Sequence, residues 1–242
     1  KSLPNESILY VGDTARVPYG NKSKIRIQEF SNEITQWLVD QNSKMIVVAC
    51  NTASSLALDY IKSKFNLPII GVIEPGIHSA IAVTKNNRIG VLGTNATIKS
   101  DAYGEGLRAA NDQISVVSQA CPLFVPLAEE GWVSGSVPTA IATTYLEPIK
   151  RSNVDTLILG CTHYPLLKSI LKQVLGSDVS LVDSGEATAA AVNSVLNKNN
   201  IVSNENRGEI HCYVTDSRDS FEALAGRFVH ANISEITHVD IS

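Results

Sequence analysis

Short apolar runs of strand length alternate with longer stretches of helical spacing along nearly the whole chain. The runs are ILYVG (8–12), MIVVAC (45–50), PIIGVI (68–73), RIGVLGT (88–94), ISVVS (114–118), DTLILGC (155–161), VSLVD (179–183) and EIHCYVTD (209–216). Several are apolar throughout, as strands covered on both faces are. Between them, 22–40, 52–65 and 164–175 place apolar residues at helical intervals. Strands and helices in alternation predict an α/β fold with a mainly parallel sheet. In the last run Ile210, Cys212 and Val214 share one face, and His211, Tyr213 and Thr215 the other. The polar stretch 197–209 ahead of it reads as a surface loop.

One pattern occurs twice. VVACNTAS (47–54) and LILGCTHYP (157–165) are each a strand-like run, a cysteine, a polar cluster and then a helical stretch. Open α/β sheets bind ligands beyond the carboxyl ends of their strands. The doubling predicts two similar Rossmann-like domains, with mainly parallel sheets, facing a shared cleft. Residues 1–72 and 187–242 would form one domain and 73–186 the other.

Composition narrows the partners. The 242 residues carry a net charge of −4, with 44% hydrophobic and 18% charged residues, and no run of lysine or arginine stands out. A nucleic-acid or anionic-membrane footprint is therefore not expected. No segment approaches the ~18 uninterrupted apolar residues of a membrane span. The opening KSLPNESILY has no signal-peptide core. The cysteines are Cys50, Cys121, Cys161 and Cys212, with no C-x-x-C pair and no zinc spacing. Reduced thiols in a cytoplasm, and no metal site, are the expectation.

Cys50 and Cys161 each precede residues suited to a helix start: Asn51, Thr52 and Ser54 after the first, Thr162, His163 and Pro165 after the second. Free backbone N–H groups there favour an anion, whether a carboxylate ligand or the thiolate itself. Two thiols opposed across a small-molecule cleft suggest one chemistry. One thiolate removes a proton from carbon while the other thiol donates one to the opposite face, inverting the centre without a cofactor. A single strand-end cysteine is most often packing. The matched polar flanks are what point to chemistry, and they name no substrate.

The residues resemble the cofactor-independent glutamate racemases of bacterial cell-wall synthesis. The likeness rests on GDTARVPYG (12–20), MIVVACNTAS (45–54), GVIEPG (71–76), GTNATIKS (93–100), CPLFVPLAEEG (121–131), DTLILGCTHYPLL (155–167), LVDSGEAT (181–188) and YVTDS (213–217). It implies reversible interconversion of L- and D-glutamate, the D-form feeding peptidoglycan precursors. Cys50 would act on the D-enantiomer's α-proton and Cys161 on the L-enantiomer's. The resemblance also implies substrate contacts from Tyr19, Gly20, Asn51, Thr52 and Thr162, with Thr94 and Thr97 further candidates. His163 and Glu130 would be auxiliary acid/base groups beside the second cysteine. No cofactor is implied, glutamate is the small-molecule partner, and a homodimer is left open.

Other residues are given no role. Cys121 and Cys212 are assigned to packing, His78, His211, His230 and His238 to structure or surface, and Trp37 and Trp132 carry no site. The resemblance further implies an opening strand with an Asp-Ser-Gly loop that assists the first cysteine and contacts substrate. This sequence starts downstream of it at Lys1-Ser2-Leu3-Pro4. The favoured explanation is that opening residues precede Lys1, and without them a gap in one sheet and exposed apolar surface are expected. The later DSG at Asp183–Gly185 is not expected to replace that loop. Two rival readings stand beside glutamate racemisation: a racemase of aspartate or another small acid, and a non-catalytic amino-acid-binding protein of the same fold.

Overall fold

The computed structural model describes residues 2–228 and 235–241, so His230 lies outside the described residues. Strand β1 (Ile8–Gly12) leads through a 3-10 turn at Tyr19–Asn21 to helix α1 (Lys24–Asp40), whose Ser23 cap accepts from the Arg26 amide. Next come β2 (Ile46–Val48), α2 (Asn51–Leu56), α3 (Leu58–Lys64), β3 (Ile69–Gly71) and α4 (Ile73–Val83). The helical stretch expected over 52–65 is thus two helices, parted at Ala57, whose backbone leaves helical values.

The middle of the chain runs β4 (Arg88–Gly93), α5 (Asn95–Ser100), α6 (Ala102–Ala110), β5 (Ser115–Ala120), α7 (Phe124–Glu129), α8 (Ser136–Arg151) and β6 (Thr156–Gly160). A 3-10 turn at Tyr164–Leu167 then starts α9 (Lys168–Leu175), followed by β7 (Ser180–Val182) and α10 (Gly185–Lys198). The last elements are β8 (Ile210–Val214), α11 (Arg218–Phe228) and β9 (Glu235–His238).

Every strand pairing among the described residues is parallel. The largest sheet has the order β5-β4-β6-β7, and β6 is buried along its whole length, as its unbroken apolar run requires. Layers of apolar side chains cover both faces of it: Phe124, Leu146, Ile149, Leu157 and Leu159 in one, Ile77, Tyr103, Leu107 and Ile158 in the other. Residue alternation along β6 sends Leu157 and Leu159 to one layer and Ile158 to its opposite.

The remaining strands form two smaller sheets, β1-β8-β9 and β2-β3. No ladder joins β1 to β2; instead Lys44 Nζ reaches Glu6 Oε2 at 2.6 Å, tying the starts of the two strands. Ile8 and Tyr10 on β1 and Val47 on β2 are exposed at 47%, 42% and 40%. Apolar side chains thus edge the break between these two sheets. In β8, Cys212 and Val214 are buried and His211 and Tyr213 half-exposed, again as the alternation indicates. Trp37 of α1 packs on Tyr213 with ring centres 4.8 Å apart.

Candidate active site

Both cysteines stand where a strand hands over to a helical turn. Cys50 is the N-cap of α2, with Asn51 and Thr52 as its first two residues. Cys161 directly follows β6, and His163 caps the 3-10 turn that begins at Tyr164. The Tyr164 hydroxyl donates to the Cys121 carbonyl oxygen at 2.9 Å, anchoring that turn to the end of β5. At Gly160 a Cβ would meet the Leu92 carbonyl oxygen at 2.5 Å, so only glycine lets the strand reach Cys161 on this path.

Three threonines converge beside Cys50. Thr52 Oγ1 lies 2.9 Å from Thr94 Oγ1 and 3.1 Å from Thr97 Oγ1, and the latter two are 3.1 Å apart. Thr94 caps α5 by accepting from the Thr97 amide, which brings two helix starts to one place. Gly20 approaches from the other side. A Cβ there would lie 2.6 Å from Thr94 Cβ. Gly20→Ala is therefore expected to push the Tyr19–Asn21 turn off Thr94, at a cost of about 1–3 kcal/mol. The check is a lowered thermal midpoint.

Tyr19 is anchored rather than free. Its hydroxyl donates to Asp13, which also receives Arg16 Nε at 2.8 Å and the Thr215 hydroxyl at 3.0 Å. Burial, reinforced by the Asp13 carboxylate, raises the Tyr19 phenol well above its ordinary value. Asp13 thus fixes the turn that presents Gly20.

Cys161 is pushed up to about 12, first by burial and then by the charges of Cys50 and Glu129, with the His163 and Tyr164 amides opposing. Burial also raises Cys50, against donation from the Ala53 and Thr52 amides and the Thr52 hydroxyl. The lowering expected of a helix N-terminus is present at each cysteine, and desolvation outweighs it. Cys161 Sγ lies 3.9 Å from His163 Nδ1, and His163 Nε2 lies 3.1 Å from Glu129 Oε1.

The profile of the Asp/Glu/Hydantoin racemase family matches residues 1–192, four-fifths of the chain. The chain belongs to that family. A glutamate racemase from Geobacter metallireducens is 44% identical over 242 residues, covering 100% of this chain and 90% of that protein. Among solved structures, a glutamate racemase isoform from Bacillus anthracis superposes with a TM-score of 0.94 at 39% identity, covering 99% of this chain and 90% of its own. A glutamate racemase from Francisella tularensis, solved with D-glutamate, gives 0.93 at 37% identity, with 99% and 89% covered.

Within this racemase fold both glutamates are exposed; the carboxylate that meets His163 Nε2 is that of Glu129, while Glu130, the sequence-based candidate, is the C-cap of α7. The end of α7 explains why. Trp132 N donates to Leu127 O and Gly131 N to Ala128 O, with Gly131 at φ +75°, a Schellman closure that fixes where the helix stops. One residue on a helix is a 100° turn, so neighbouring glutamates point to different sides.

The other expected residues (Tyr19, Gly20, Cys50, Asn51, Thr52, Thr94, Thr97, Cys161, Thr162 and His163) lie on the turns just described. Thr162 is exposed, its Oγ1 3.5 Å from His163 Nδ1. Asp183 is occupied by Lys168 and by the Gly185 amide at 3.1 Å. Cys121 is fully buried, its thiol 3.6 Å from the Gln119 carbonyl oxygen. Tyr103, unmarked in the sequence, enters the site by donating to Asn51 Oδ1 at 2.6 Å. Among the described residues, no group of three His, Cys, Asp or Glu is placed to hold a metal ion, and no helix is long and apolar enough to cross a membrane.

Proposed function

We propose that this chain interconverts L- and D-glutamate by exchanging the α-proton between Cys50 and Cys161. What supports the reading is that the two cysteine-bearing turns, at the ends of β2 and β6, are bridged by Tyr103, whose hydroxyl donates to Asn51 Oδ1 and whose ring lies against Gly160. In the D-to-L direction the Cys50 thiolate takes the α-proton and becomes a thiol. The Cys161 thiol gives its proton to the opposite face of the carbanion and becomes a thiolate. The L-to-D direction reverses both transfers.

Asn51, Thr52, Thr94, Thr97, Thr162 and the Gly20 turn would hold the substrate's carboxylates and amine. His163, backed by Glu129, exchanges protons with Cys161 or steadies its thiolate. Residues 1–72 and 187–242 would act as one body and 73–186 as the other, opening to admit substrate and closing to exclude water from the carbanion. D-Glutamate made this way, in a reducing cytoplasm, would supply peptidoglycan precursors.

The thiol environment sets the pH response. Both thiols are raised from an ordinary value of 9.0, so both are protonated at neutral pH and the one-thiolate form grows with pH. kcat/KM is expected to climb between pH 7 and 9, approaching about tenfold per unit. A profile that is flat or falling over that interval would contradict the assignment.

The reaction itself is tested by following the circular dichroism of D-glutamate in the presence of a chelator and without added pyridoxal phosphate. Decay to zero is expected. Aspartate run in parallel separates glutamate from the other acid named in the family's description. Glutamate binding without any decay would favour a binding protein.

A further inference from the structure

We infer that Tyr103 is a positioning residue, whose hydroxyl fixes which end of the Asn51 side-chain amide faces the substrate. The inference rests on the site assignment given above. Asn51 is the first residue of α2, immediately after Cys50, and its amide ends are an acceptor, Oδ1, and a two-proton donor, Nδ2. The two ends are nearly identical in size, so packing alone cannot choose between them. A hydrogen bond can.

Tyr103 Oη donates to Asn51 Oδ1 at 2.6 Å, with the two residues only 2% and 3% exposed. The phenol comes from α6, across the site from α2, and its ring is held on both sides. A Cβ at Gly160 would meet the ring at 3.1 Å, and one at Gly76 at 3.3 Å. Gly160 precedes Cys161, so the same ring that orients Asn51 beside one cysteine packs under the strand end that presents the other. The nearby Cys161 charge, after burial, raises the Tyr103 phenol, which keeps its proton available for donation.

With Oδ1 engaged, Nδ2 is left as the free end. Among the described residues no hydrogen bond uses it. Nor is it among the sealed, partnerless polar atoms, which are Thr14 Oγ1, Arg16 Nη2 and Thr188 Oγ1. Nδ2 is therefore the end of the amide not sealed inside the protein, and a donor there suits a carboxylate oxygen. A flipped amide would present Oδ1 to that carboxylate and repel it. Tyr103 sets the sign of the contact.

The test is a double-mutant cycle between Tyr103→Phe and Asn51→Ala, read by D-glutamate affinity in calorimetry and by kcat and KM. Tyr103→Phe keeps the ring and its packing, and circular dichroism checks that each variant is folded. In the parent background the phenylalanine is expected to raise Kd and KM about tenfold, with kcat within about threefold, because the contact exists before and during proton transfer. In the Asn51→Ala background the same change is expected to shift Kd by less than about twofold, since its target is gone. An unchanged Kd in Tyr103→Phe would overturn the inference. So would an equal loss in both backgrounds, which would mark a purely structural tyrosine. A parent chain that binds glutamate without racemising it would instead count against the proposed reaction, and the affinities would still decide the role of Tyr103.

Discussion

Cys50→Ser and Cys161→Ser are each expected to lose at least about a thousandfold of glutamate racemisation, because general acid/base groups supply about 10²–10⁴ in rate and a hydroxyl is a far weaker acid than a thiol. In the proposed mechanism each direction needs both groups, one as base and one as acid, so neither variant would keep a working direction. The control is Cys121→Ser. That thiol is buried and already within 3.6 Å of the Gln119 carbonyl oxygen, so a hydroxyl there finds an acceptor. Its activity should stay within about twofold of the parent once folding is verified, as expected where a buried hydroxyl finds a partner. Circular dichroism of both enantiomers measures all three variants. Near-parental rates in either of the first two would remove the two-thiol mechanism.

The second large effect separates adjacent glutamates. Glu129→Gln keeps the size of the side chain but takes the charge from its 3.1 Å contact with His163 Nε2. Loss of a partner that orients a reacting imidazole is expected to lower kcat by about 10–100-fold, by analogy with the groups that orient metal-bound histidines. Glu130→Gln, on the exposed cap, should change kcat by less than about twofold, as surface changes away from the site do. Comparing kcat for the two variants at one pH checks the pairing. Equal losses, or a larger loss at Glu130, would return the role to the residue that the sequence suggested.

The glutamate pair also shows where the sequence stops being legible. Strand-length apolar runs and the repeated cysteine motif were plain because period and burial leave marks at every residue. Strands β1 to β8 fall within the eight runs, except that β5 continues two residues past its run to Ala120. The strand β9 was not foreseen: Glu235–His238 is four residues with one aliphatic, too short and polar to show as a run. The break at Ala57 was equally invisible, since alanine favours helix and only the tertiary arrangement stops it there. Glu129 and Glu130 differ by one position in an unbroken stretch, and the Schellman closure at Gly131 decides their directions.

Site chemistry divides the same way. Tyr19, Gly20, Asn51 and the three threonines could be named from their motifs. Their mutual contacts cross between helices far apart in sequence, as Thr52 with Thr94 and Tyr103 with Asn51 do. Tyr103 sits in an amphipathic helix with nothing local to set it apart. The acidity of the thiols was the larger surprise. Helix starts at Cys50 and Cys161 suggested lowered values, but burial depends on the whole fold, and it wins at both positions.

The most direct test of two opposed thiols is the fate of the α-hydrogen in heavy water. D-Glutamate is added to the enzyme in D2O, and both enantiomers are separated and weighed by mass spectrometry at low conversion. With Cys50 removing the proton and Cys161 donating from its own solvent-exchanged thiol, newly formed L-glutamate should carry deuterium at Cα while unreacted D-glutamate remains unlabelled. L-Glutamate that retains the original hydrogen would mean that one group carries the proton from face to face, and the two-thiol account would fail.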